Sequence, residues 1–486
     1  VSAARPDKKE RQMAERWLLQ GATVVTGDRE HEDLPCGDIL IEDGRITAMG
    51  RELRVEGCRV LPLAGKLVMP GLIDTHRHTW QTPLRGLGGD WTVLDYLAAV
   101  RVKLSPAFRP EDVHAGTLAG ALEALDAGIT TLVDHAHCIA SPAHADAALQ
   151  GLQESGIQAL FAYGYAAGSE PSPSFPTPEH RFADARRLRE GPLSSDSGRV
   201  RLGIALTEMQ IPWEQSRAEV RSARELGVPI TLHCSAWPVT GPSEVEQLER
   251  EGLLGPDLLF VHCTFSGDDD LARIAGSGGS ICATPESELQ MGMGFPVIGR
   301  ALRVGVRTTL GCDVVASNGG ELFTAMRLAL QSERGRANAL AGLPRRLDLR
   351  AGQMLRMVTQ DAADAIGLGA VTGSLRPGKQ ADLIVLAADA LNMTPLGHPR
   401  DAVVLQAHAG NVESVMVRGE LVKHQGRLIG TDVAAVRQKV LRARDAVLER
   451  VGGLSALLAD HAKLEEHWDL GTGVQAPLQG RADDMA

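Results

Sequence analysis

Residues 68–78 read Val-Met-Pro-Gly-Leu-Ile-Asp-Thr-His-Arg-His, an apolar run that ends in His76-Arg77-His78. Successive residues of a strand face opposite ways, so His76 and His78 project to one side and Arg77 to the other. Two imidazoles on one face of a strand end are half of a zinc-type site. Further apolar runs of the same kind follow at 129–134, 158–163, 201–208, 229–233, 258–262, 279–284 and 307–313. Between them lie longer stretches with apolar residues at helical spacing, such as 110–127, with Gly128 where a helix stop belongs. Eight strands alternating with helices predict an α/β chain folded as a (β/α)8 TIM barrel. A doubly wound open sheet is the alternative, but no Gly-rich phosphate loop follows an early strand.

The flanks have a different texture. Residues 16–65 read as short strands with hairpin turns, Asp43-Gly44 being a good turn dipeptide, and the same pattern returns at 373–430. Neither piece has enough strands to bury a face alone, so together they predict one small β-sandwich built from N- and C-terminal segments. The expected division is a mobile extension at 1–15, sandwich at 16–68, barrel at 69–365, sandwich again at 366–430, and a charged amphipathic helix with a tail at 431–486.

With 50 basic against 61 acidic side chains, the formal net charge of −11 argues against a nucleic-acid partner. No apolar run approaches the ~20 residues of a membrane helix, and the charged N-terminus does not read as a signal peptide. Seven cysteines thinly spread over 486 residues do not make a disulfide framework. These features predict a soluble, cytoplasmic protein with a small-molecule substrate. Four of the cysteines, Cys138, Cys234, Cys263 and Cys312, adjoin His137, His233, His262 and Asp313. Alternation then turns each thiol toward apolar packing while its neighbour faces the other side.

Three further strands end in metal-type residues: His233 closes Ile-Thr-Leu-His, His262 closes Leu-Leu-Phe-Val-His, and Asp313 follows Thr-Thr-Leu-Gly-Cys. In a barrel the carboxyl ends of strands carry the chemistry. Imidazoles with one carboxylate suit a catalytic metal that keeps a position for water. Imidazoles and one carboxylate at these strand ends predict one divalent metal ion, with zinc first and iron or another first-row metal as alternatives. No lysine ends a barrel strand, so a carboxylated lysine bridging two metals is excluded, and Glu208 alone keeps a two-metal site open.

Three motifs carry a resemblance: PGLIDTHRHTWQTPLRG at 70–86, LGCDVVASNGGELFTAMR at 310–327 and GSLRPGKQADLIVL at 373–386. In order and spacing they resemble the amidohydrolase superfamily, in its mononuclear deaminase and chlorohydrolase branch. The resemblance implies His76, His78, His233 and Asp313 as metal ligands and His262 as the residue that orients the attacking water. It implies that a metal-bound hydroxide attacks carbon while Asp313 moves the proton, and it suggests a homo-oligomer.

Two positions depart from that branch. Ring-deaminating members carry a glutamate three residues after the third histidine, where this chain has Ala236. After the seventh strand the branch shows Pro-x-Ser-Asn, where this chain reads Pro285-Glu286-Ser287-Glu288. Glu288, or else Glu286, is expected to supply the missing carboxylate. His137, from a second His-x-His at 135–137, is expected to touch substrate, with Trp80, Gln81 and Arg85 shaping the pocket. Met291, Met293 and Phe295 sit on a glycine-rich loop that could adapt to an apolar substrate.

Loss of the glutamate tilts the reading toward hydrolysis of a small amide-, urea- or carbamate-like substrate. Deamination of an aromatic heterocycle such as a purine or pyrimidine is the first alternative. A lyase or dehydratase on the same scaffold is the second, and a non-catalytic binding protein would be expected to lose the ligand set.

Overall fold

A computed structural model describes residues 16–457 apart from 29, 167–171, 208–212, 239–241 and 342. The expected N-terminal extension, Glu208 and the C-terminal tail therefore lie outside the described residues. The chain divides into two units, one of residues 1–73, 124–131 and 351–431, the other of 74–123, 132–350 and 432 onward.

Eight parallel strands make one sheet in sequence order. They are β1 (Leu72–Arg77), β2 (Ile129–Ala136), β3 (Gln158–Gly164), β4 (Val200–Ala205), β5 (Ile230–Cys234), β6 (Leu258–His262), β7 (Ser280–Ala283) and β8 (Arg307–Leu310). The residues just beyond β8 close back on β1: Asp313 N–H donates to His76 O at 2.9 Å, and His78 N–H donates to Asp313 O at 3.2 Å. This is the predicted (β/α)8 barrel. Local sequence explains its crossover helices. Pro142–Ser155, for instance, starts with Pro at its first position and stops at Gly156 with φ of 77°, the left-handed stop that glycine supplies without strain.

The other unit holds a nine-stranded sheet drawn from both flanks. The predicted hairpin is present: Glu42 pairs with Arg45, and Asp43 and Gly44 both take positive φ. Ile46, on the last strand of the path, and Met416, on the third strand from its other end, share one buried cluster with Trp17, Leu19, Val68 and Leu383. The sheet thus folds over on its own core.

The run at 68–75 is not one strand. Leu67–Pro70 pairs antiparallel with Leu383–Leu386, and β1 begins only after Gly71. Proline cannot donate to a ladder, and a Cβ at Gly71 would lie 2.1 Å from Thr130 Oγ1, so the chain changes sheet there. The amphipathic helix predicted near the C-terminus spans Val433–Arg450 and belongs to the barrel unit, where Arg450 reaches Asp112 and the carbonyl of Ala107. Among the described residues no helix is long and apolar enough to cross a membrane.

Candidate metal centre and active site

The barrel closure is also what builds the site. By pairing with β1, the segment after β8 sets Asp313 Oδ1 3.3 Å from the Nε2 atoms of both His76 and His78. The backbone there is bent sharply. Ser235, His262, Cys263 and Asp313 all hold positive φ without being glycine, and such strain clusters where chain ends are aimed at a functional centre.

Six polar side chains converge at these strand ends. The donor atoms of His76, His78 and Asp313 all lie within 4.8 Å of one another, as do those of His76, His135 and His233, and those of His78, His137 and His233. The hydrogen-bond network sorts them. His78 Nδ1 lies 2.8 Å from the carbonyl of His135, so Nδ1 carries the proton and Nε2 presents its lone pair beside Asp313. His76 is wholly buried, yet neither of its ring nitrogens has a hydrogen-bond partner. A buried imidazole facing a carboxylate at 3.3 Å without a hydrogen bond is costly unless something binds both. These residues fit a divalent metal.

His262 is held from behind. Its Nδ1 lies 3.0 Å from Thr284 Oγ1 and 3.4 Å from Glu288 Oε1, which leaves Nε2 for the cleft. Glu288 is fully buried and accepts from Thr284 N–H at 2.8 Å. It is absent from the cleft lining and faces it through His262. Glu286 lies elsewhere, against Gly319 N–H at 3.4 Å.

Electrostatics follow from burial. Burial raises the Asp313 carboxyl, but His76 and His78 beside it outweigh that and hold it well below the usual carboxylate range. Burial, then neighbouring imidazoles and Arg101, holds His135 and His137 well below the ordinary histidine range, so both are neutral at pH 7. Burial raises Glu288, with His262 opposing. The thiols of Cys138, Cys282 and Cys312 are pushed well up by burial, which makes them inert. All four cysteines beside site residues are buried, but only Cys234 lies within a strand, where alternation applies.

A cleft of about 30 Å³ opens on this cluster. His78, His137, His233, His262 and Asp313 form its polar side, and Val93, Leu97, Trp237, Met291 and Met293 are among its apolar walls. Trp80 and Gln81 are buried beside it and act through neighbours: Trp80 Nε1 donates to His137 Nδ1 at 3.2 Å, and Gln81 Nε2 donates to the hydroxyl of the cleft residue Tyr96 at 2.7 Å. Arg85 does not line the cleft. Its guanidinium pairs with Glu123 at 2.8 Å, where Arg77 also docks, because a carboxylate there satisfies both cations. Phe295 is 44% exposed and also stays out. Ala236 is buried, and the only carboxylate lining the cleft among the described residues is Asp313.

Sequence reasoning missed Val93, Tyr96, Leu97 and Arg101. They come from Val93–Tyr96 and a π-helical stretch at Leu97–Leu104, which inserts between β1 and its first long helix. Nothing in the apolar periodicity marks a π-turn, although such turns recur at functional sites. A larger groove of about 870 Å³ lies between Pro178–Glu190 and Trp213–Leu226, but no ligand set converges on it among the described residues.

The amidohydrolase family model matches residues 67–422. A 5-methylthioadenosine/S-adenosylhomocysteine deaminase of Symbiobacterium thermophilum is 30% identical, covering 84% of this chain and 93% of its own. A 5′-deoxyadenosine deaminase of Methanosarcina barkeri is 27% identical, covering 89% of this chain and 99% of its own. Among solved structures, an adenosine deaminase from Xanthomonas campestris with bound zinc superposes with a TM-score of 0.80 at 25% identity, covering 89% of this chain and 98% of that one. The chain belongs to the amidohydrolase family, as a metal-dependent hydrolase acting on carbon–nitrogen bonds.

Proposed function

We propose that this enzyme removes the exocyclic amine from an adenosine-type heteroaromatic ring, with zinc held by His76, His78, His233 and Asp313. The observation that carries the reading is the lining of the cleft and not its volume, since about 30 Å³ holds little more than one water. Apolar and aromatic walls from Val93, Leu97, Trp237, Met291 and Met293 suit a flat ring, and His78, His137, His233, His262 and Asp313 form its polar side. The relatives named above act on adenosine derivatives, which supports the same reading.

A divalent metal in this site supplies a water acidified toward a pKa of ~7 and so a nucleophile at neutral pH. Asp313 takes a proton from the attacking water and returns it to the departing amine. His262 presents Nε2 to the cleft, because Thr284 and Glu288 engage its Nδ1, and it orients the attacking oxygen. Glu288 is the positioning residue for His262. A cytoplasmic homo-oligomer belongs to the same proposal, and light scattering on the purified protein tests the assembly.

Hydrolysis of an acyclic amide, urea or carbamate remains the second reading, favoured by Ala236 where ring deaminases carry their glutamate. Ammonia release decides between them. The zinc-loaded enzyme is assayed with adenosine, 5′-deoxyadenosine and 5′-methylthioadenosine against a panel of acyclic amides and ureas. Turnover of the nucleosides, with oxygen-18 from solvent in the product, is expected. Activity confined to the acyclic panel overturns the proposal, and a product without solvent oxygen indicates a lyase.

A further inference from the structure

The missing glutamate leaves ring deamination without its usual proton carrier, and the second His-x-His offers a different solution. Trp80 is fully buried, and its indole nitrogen can only donate. At 3.2 Å from His137 Nδ1, it fixes that atom as an acceptor. The proton of His137 is then on Nε2, and a second proton on the ring would clash with the indole N–H. His137 Nε2 is buried with no hydrogen-bond partner in the protein, and the ring lines the cleft. It also stacks on His78 at a centroid separation of 4.0 Å and 18° between planes, which holds it beside the metal ligands. A nitrogen that bears a proton cannot be a metal ligand. The grouping of His78, His137 and His233 is therefore not a second metal site while Trp80 keeps its bond.

We propose that His137 is a catalytic electrophile, a neutral imidazole whose Nε2–H donates to the ring nitrogen next to the amine-bearing carbon of the substrate. Trp80 is its positioning residue. The assignment rests on the ring-deaminase reading above and deepens it. As the water oxygen bonds to the ring carbon, one water proton passes to Asp313. The electron pair of the ring C=N moves onto the ring nitrogen, where the His137 N–H stabilises it. The pair then returns, the bond to the exocyclic nitrogen breaks, and that nitrogen takes the proton from Asp313 and leaves as ammonia. The ring nitrogen never has to be protonated, so a carboxylate at position 236 is not required. A neutral histidine serving as electrophile has precedent in other enzymes.

The test has two arms. In the first, protein labelled with nitrogen-15 histidine is followed by long-range proton–nitrogen spectra while zinc is added, and His137→Gln assigns the signal. His137 is expected as the Nε2–H form before and after zinc, while the signals of His76 and His78 move. A zinc-induced shift of His137 Nε2 matching theirs overturns the inference. In the second, His137→Phe is expected to lower kcat on adenosine by about 100-fold, with His137→Gln, which keeps an N–H donor, recovering part of it. Trp80→Phe is expected to lower kcat by about tenfold and to let His137 populate both tautomers. A His137→Phe enzyme with kcat within threefold of the parent overturns the assignment. If the parent itself releases no ammonia from adenosine, the ring-deaminase reading fails, while the zinc titration still judges the tautomer of His137.

Discussion

Asp313 and His78 are joined twice: the main chain of His78 donates to the Asp313 carbonyl at 3.2 Å, and Asp313 Oδ1 lies 3.3 Å from His78 Nε2. The seam that closes the barrel and the pair proposed to hold the metal are the same residues. Stability and metal binding are therefore coupled, as they are wherever a ligand set forms only in the native state. Removing the metal with a chelator is expected to abolish turnover and lower Tm by about 5 °C or more, with zinc restoring both. A chelated enzyme whose Tm is unchanged would show that Asp313 and the two histidines are held without an ion.

Gly311 lies at this seam. A Cβ there would meet His76 O at 2.7 Å and Cys282 Sγ at 3.0 Å, the first being backbone that cannot swing away. Gly311→Ala is expected to cost about 1–3 kcal/mol in urea unfolding. Zinc affinity, read by competition with a chelating dye, should fall with it, because the seam carries His76. Loss of stability with full zinc affinity would separate the two.

Glu288 reaches the chemistry only through His262. Glu288→Gln keeps an oxygen for the Thr284 N–H but removes the charge beside His262. The expected result is a kcat lower by about tenfold, with KM and Tm close to the parent. A change in KM with kcat intact would place Glu288 in substrate binding instead.

Glu286 makes a pH-dependent contribution. Burial raises its carboxyl to about 7, and Gly319 N–H offsets only part of that. The native state therefore holds this proton more tightly than the unfolded chain. Its contribution is fully present below the ordinary carboxylate pKa of 4.5 and is lost as pH rises toward about 7. Glu286→Gln is expected to flatten the decline of stability between those values and to be the more stable protein at pH 8, by about 1–3 kcal/mol. Parallel stability profiles for the two proteins from pH 5 to 8 would contradict this.

Periodicity was enough to find eight barrel strands, because apolar alternation and helix stops are local properties. His76, His78, His233, His262 and Asp313 were legible for the same reason: each stands at the end of an apolar run, and the barrel architecture brings such ends together. Arg85 was misread because nothing local reveals Glu123, 38 residues away, as its partner. Glu288 was found, but its direction was not, since a six-residue helix turns it inward against His262.

The sequence by itself determined the architecture and the family, both of which depend on residue kind and order. Only the tertiary structure decided protonation and access. Which nitrogen of His78 and His137 bears a proton depends on the His135 carbonyl and the Trp80 indole, each 57 residues distant in the chain. Leu97 and Arg101 reach the cleft from a π-helical segment with no pattern of its own. The physical reason is the same in both cases. A tautomer is set by the partner across a hydrogen bond, and that partner is chosen by packing rather than by neighbours in sequence.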